Sequence, residues 1–66
     1  SHYEHLGLTP AATRSEIKSQ YYALSKKLHP DTNPGDEAAH NQFIRITEAY
    51  DILYDDVQRK EYDRTL

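Results

Sequence analysis

The sequence predicts an all-α domain, and three observations carry that expectation. No run of β-branched residues alternates with period two for more than a few positions, so strand patterning is nearly absent. Apolar residues recur instead at helical spacing in two long segments, 14–28 and 36–53. Pro30, Pro34 and Gly35 break the chain between them, in a stretch too short for another element. Two helices joined this way pack as an antiparallel hairpin, and the expected architecture is that hairpin with one short helix before it and another after.

The first helix is expected over Tyr3-Glu4-His5-Leu6, stopped by Gly7 at its C′ position, with Pro10 shortly beyond. Thr13-Arg14-Ser15-Glu16 fits a capping box, in which the Thr oxygen and the Glu carboxylate each accept a backbone N–H at the helix start. The second helix then runs to Leu28, with Ile17, Tyr21, Leu24 and Leu28 as its apolar stripe and Arg14, Lys18, Tyr22 and Lys26 as the row beside it. Residues His29 to Gly35 form the loop. Asp36 is the expected N-cap of the third helix, Glu37 favours its positive end, and Ala39, Phe43, Ile46, Tyr50 and Leu53 form the facing stripe. Phe43, Ile46, Tyr50 and Leu53 are expected in the core. Asp55 or Asp56 caps a last helix ending near Arg64, whose thin apolar edge, Val57 and Tyr62, makes it the loosest of the four.

A chain of 66 residues allows one domain, expected over 1–66 and read as a piece of a longer protein. Cysteine is absent, so packing alone must hold so small a core. With 36% hydrophobic residues no window approaches the roughly 20 apolar positions of a membrane span, and no membrane contact is expected. No basic-then-apolar leader precedes Tyr3, and with targeting information expected outside this piece the compartment stays open, an intracellular one, cytosol or mitochondrion, being the first expectation. The net charge of −3 hides a dipole. Over 14–28, Arg14, Lys18, Lys26 and Lys27 against Glu16 leave +3, whereas residues 36–66 carry −4. Nucleic-acid binding calls for a strongly basic domain and is not expected; an acidic protein surface suits the second helix better.

The distinctive segment is His29-Pro30-Asp31 at the hairpin tip, followed by Asn33 and Gly35. Alone, such a tripeptide is an ordinary turn. Its surroundings are specific: Tyr3-Glu4-His5-Leu6-Gly7-Leu8 opens the chain, Glu16-Ile17-Lys18 with Tyr21 and Leu24 marks the second helix, Phe43 to Leu53 reads Phe-x-x-Ile-x-x-Ala-Tyr-x-x-Leu, and Arg59 with Tyr62-Asp63 closes the chain. Together these resemble the J domain, the co-chaperone module of the DnaJ family, over residues 3–63. The resemblance implies a J-domain fold, and docking on the ATP-bound form of a heat-shock protein seventy chaperone whose ATP hydrolysis it stimulates. It implies that Lys18, Tyr21 and Lys26 meet an acidic surface of that chaperone while His29, Pro30 and Asp31 engage its nucleotide domain and linker. Tyr22 and Asn33 join these as candidate docking residues. Client polypeptide would bind through regions outside the chain, and the domain itself is expected to be monomeric. An alternative is a module of the same fold that binds a partner without stimulating it.

Several positions depart from the family pattern. Tyr22 and Ala23 stand where a second basic pair is common, Thr32 follows the tripeptide in place of Arg or Lys, Gln20 replaces a small residue, and Asp56 an early Pro. The positive face is diluted.

Chemistry by the chain itself is not expected. Four histidines raise a metal site, but His2 and His5 share one helix while His29 and His40 sit on other elements, so neither metal nor other cofactor is expected. A His29–Asp31 dyad lacks a nucleophile and a pocket, and Pro30 is expected to point the two side chains along the turn instead of at each other. Arg59 and Asp63, at i and i+4, are expected to form only a modest surface pair.

Overall fold

A computed structural model describes all residues, 1–66. It contains α1 (His2–His5), α2 (Arg14–Leu28), α3 (Glu37–Leu53) and α4 (Asp56–Asp63), and no strand. Each helix begins on a side chain that accepts N–H groups its first turn leaves unpaired. Thr13 Oγ1 accepts from the Glu16 N–H at 3.1 Å, and the Glu16 carboxylate accepts from the Thr13 N–H at 2.8 Å. That second bond, with the Thr13 hydroxyl, holds the Glu16 carboxyl below its ordinary pKa. Asp36 Oδ1 accepts from the Ala39 N–H at 3.0 Å. Asp55, not Asp56, caps α4, accepting from the N–H groups of Val57 and Gln58. Ser1 forms a further capping box with Glu4, so α1 starts at His2, one residue before its expected start.

Gly7 ends α1 as the sequence predicts. It adopts φ +70°, and its N–H bonds the Glu4 carbonyl while the Leu8 N–H bonds that of Tyr3, a complete Schellman pair. A Cβ there would suffer the positive φ and would also press within 3.3 Å of the Gln20 side chain.

α2 and α3 form the antiparallel hairpin, and α1 packs chiefly on α3. Tyr3, Leu6, Ile17, Ile46, Ala49 and Leu53 make one buried cluster. This corrects the expected core. Phe43 and Tyr50 are only half-buried, while Ala49, Tyr3 of α1 and Leu6 just after it are fully enclosed. The reason is that α1 covers one flank of α3 and draws the buried stripe toward positions 46, 49 and 53. Phe43 and Tyr50 are left along the open seam with α2, where Tyr50 stacks on Tyr21 at 4.2 Å and on Tyr54 at 5.0 Å.

The Tyr62 ring packs against His2 and Tyr3 at the edge of the core, and polar contacts add to it in tying down α4. Val57 is 72% exposed and no α4 residue is fully buried. The Tyr3 hydroxyl donates to Asp63 at 2.5 Å and accepts from Arg59 Nε at 3.0 Å. Arg59 Nη2 donates to the Ala12 carbonyl at 2.6 Å and the Pro10 carbonyl at 3.3 Å, and the Tyr62 hydroxyl accepts from the His2 N–H at 2.8 Å. The expected surface pair of Arg59 and Asp63 is therefore one side of a larger clasp between the first and last helices. Burial, then the bond to Asp63, raises the Tyr3 pKa. Arg59→Ala is expected to lower stability by about 2 kcal/mol, because it strands acceptors that a charged donor now satisfies. Arg64→Ala, which breaks an exposed pair with Glu61, should stay within about 0.5 kcal/mol in the same urea melts. Equal losses would reduce the clasp to surface decoration.

Candidate docking face at the hairpin tip

The tip is built by local rules. Pro30 disfavours helical backbone at the residue before it, and His29 leaves α2 at φ −56°, ψ 139°. The His29 carbonyl then accepts the N–H groups of Thr32 and Asn33, both at 3.0 Å. Asn33 folds its side chain back under α2, donating from Nδ2 to the carbonyls of Lys27 at 2.7 Å and His29 at 3.2 Å. Its own carbonyl accepts from the Asp36 N–H at 3.2 Å and lies 3.0 Å from His40 Nε2. A carbonyl can only accept, so His40 carries its proton on Nε2. Gly35, at φ +76°, turns the chain into α3.

On this frame His29 and Asp31 are displayed outward, their side chains 48% and 93% exposed. The His29 ring meets Phe43 edge-on at 5.5 Å. Its Nδ1 accepts the Asp31 N–H at 3.1 Å and lies 3.7 Å from Asp31 Oδ2. The expectation that Pro30 separates the two side chains is thus corrected, since the turn curls residue 31 back onto the ring. With Nδ1 accepting a backbone N–H, the ring carries its N–H on Nε2. Ser25, Lys26, His29, Asp31 and Thr32 line an open depression here, with Ser25 Oγ donating to the Tyr22 carbonyl. No three His, Asp or Glu side chains converge as metal ligands.

Along α2 the predicted residues separate by role. Lys26 and Lys18 project into solvent on the row that runs back from the tip, with Tyr22 between them. Tyr21 faces inward across the seam, its hydroxyl 3.3 Å from Thr47 Oγ1. Arg14, read as part of the row, is withdrawn from it: Nε donates to the Tyr54 carbonyl at 3.0 Å, and the guanidinium lies 3.9 Å over the Tyr54 ring. α3 has no basic residue in its last turn, and Arg14 supplies the cation its negative end favours. Sequence reasoning missed Phe43 and His40 as supports of the tip. His40 stands seven residues from the carbonyl it meets, and no local pattern announces the contact.

Among the helices none is long and apolar enough to cross a membrane. The family model for the DnaJ domain matches residues 1–63. The chain is 49% identical over 63 residues to the chaperone protein DnaJ 2 of Corynebacterium glutamicum, an alignment covering 96% of this chain and 16% of that one. It is 42% identical over 66 residues to DnaJ homolog subfamily C member 4 of Mus musculus, covering 27% of that protein. It therefore spans a minor part of these relatives. Among solved structures, the J-Trx1 fragment of ERdj5 superposes with a TM-score of 0.89 at 41% identity, covering 96% of this chain and 31% of the fragment. The four-helix order, the braced His29-Pro30-Asp31 tip and a match across nearly the whole sequence agree, and the chain belongs to the DnaJ-domain family.

Proposed function

We propose that this domain is a co-chaperone module that docks on the ATP-bound form of a heat-shock protein seventy chaperone and stimulates its ATP hydrolysis. His29, Pro30 and Asp31 form the trigger, with Asn33 bracing it from beneath; Lys18, Tyr22 and Lys26 form the docking face on α2, with Tyr21 backing Tyr22 from the seam. The observation that supports this reading best is the tip itself. Its backbone is fixed by hydrogen bonds from both helices while its two ionisable side chains face solvent, an arrangement that serves a partner and contributes little to the fold. The domain acts as regulator, and the chaperone performs the chemistry.

The test is single-turnover ATP hydrolysis by the purified chaperone with the domain added. Acceleration supports the reading, and binding without acceleration supports the alternative of a silent docking module. Reversing Lys18 and Lys26 to Glu is expected to slow association at low salt at least tenfold and to flatten its salt dependence, with helicity unchanged. Unchanged on-rates would show that the row is solvated surface.

A further inference from the structure

The row on α2 is not the continuous cationic stripe that its spacing suggests. Arg14 is turned onto Tyr54, so the row begins at Lys18, and its middle position, one turn from each of Lys18 and Lys26, is Tyr22. This side chain is 51% exposed. It is nonetheless held. Its ring meets Tyr21 edge-on at 5.5 Å and Tyr50 edge-on at 6.3 Å, and those two rings stack on each other at 4.2 Å and 9°. Tyr21 is fixed in turn by its contact with Thr47. Hydrogen bonds reach the phenols of Tyr3, Tyr21 and Tyr62; of the three other tyrosines, Tyr22, Tyr50 and Tyr54, Tyr22 alone is exposed. Ala23 beside it is small and exposed, so a partner surface can come close.

We propose that Tyr22 is the specificity anchor of the docking face. The inference rests on the co-chaperone reading and names the partner surface that fits: an apolar cleft for one aromatic ring, flanked by carboxylates about 12 Å apart, the rise of eight helical residues between Lys18 and Lys26. Charge complementarity fixes the flanks, and the ring fixes the centre. A clamped aromatic side chain has little rotamer freedom left to lose on binding, and such residues at the centre of an interface carry much of its affinity. A face built this way depends less on salt than one with a cation at position 22, because only two ammonium groups are screened. It also discriminates among chaperones by the shape of the cleft, which a purely cationic row cannot do.

The experiment measures both equilibrium binding to a purified heat-shock protein seventy chaperone in its ATP state and stimulation of its hydrolysis, over a range of salt. Tyr22→Ala is expected to raise the dissociation constant at least tenfold with the melting temperature nearly unchanged. Tyr22→Phe keeps the ring and should bind within threefold of the parent. Tyr22→Lys should bind well only at low salt, with a steeper dependence than the parent. Binding by Tyr22→Ala within twofold of the parent, failure of Tyr22→Phe like Tyr22→Ala, or a Tyr22→Lys variant equal to the parent at all salt concentrations overturns the anchor. A parent that binds through Tyr22 but accelerates nothing overturns the co-chaperone reading and keeps the anchor, whereas a parent that binds no chaperone overturns both.

Discussion

Leu53→Ala is expected to destabilise the domain by about 3 kcal/mol or more, within the roughly 2–5 kcal/mol range for removing a buried Leu side chain. Leu53 is 1% exposed and sits in the cluster where α3 meets Tyr3 of α1, Leu6 at its C-cap and Ile17 of α2. The surroundings cannot collapse onto the vacated space without moving helices on two sides, which places the loss in the upper part of that range. A chain of 66 residues has a total stability of only about 3–10 kcal/mol, at the usual yield per residue. The variant should therefore populate unfolded chain at physiological temperature. Val57→Ala, at a position 72% exposed, should change stability by no more than about 0.5 kcal/mol. Phe43→Ala should fall between them, since Phe43 lies half in the seam. Urea melts followed by helicity decide the order, and a Leu53 variant as stable as the Val57 variant would disprove the three-helix core.

His29→Gln is expected to abolish stimulation of chaperone ATP hydrolysis while leaving helicity and melting temperature nearly unchanged. The bonds that shape the tip come from the His29 carbonyl and from Asn33, and a side-chain change at residue 29 leaves them in place. What disappears is the ring, with its edge contact to Phe43 and its acceptor for the Asp31 N–H. A Gln oxygen can still accept the Asp31 N–H, so a tip that merely closed the hairpin would tolerate the change. Asp31→Asn should act likewise, because it keeps the size of a side chain that is 93% exposed and removes the charge a partner cation requires. Should both variants stimulate as fully as the parent while folded, the tip is a plain turn.

What could be read beforehand depended on the range of the interaction. Thr13 with Glu16, Asp36 and the Gly7 stop are signals within a few residues, and the structure places each where the sequence predicts. The start of α2 followed from the first of them and its end from Pro30. The burial of Tyr3 and Leu6 did not, because two apolar residues on a single turn form no periodic stripe and show their weight only once α3 is beside them. Arg14 and Arg59 were misread for the same reason. Each looks like a solvated cation in its own helix, and its acceptors lie 40 or more positions away. At the tip, periodicity yielded a loop and nothing more; the reading of His29-Pro30-Asp31 came from family resemblance. The supports beneath it, Phe43 and the His40 contact, became visible only in three dimensions.

The clasp between α1 and α4 also determines how the domain bears a mechanical load. His2 bonds Tyr62 and Tyr3 bonds Asp63, so residues 60 positions apart in sequence are directly joined. Tension applied to the two ends passes across these bonds and bypasses the long stretch between them. While the clasp holds, α2, the tip and most of α3 carry no tension, and the exposed face of α2 keeps its shape under a pull that would otherwise straighten the hairpin. Failure is then sequential, with α4 peeling away first. Single-molecule stretching should show an early, low-force opening in the parent that Arg59→Ala brings lower still, followed by a separate rupture of the hairpin.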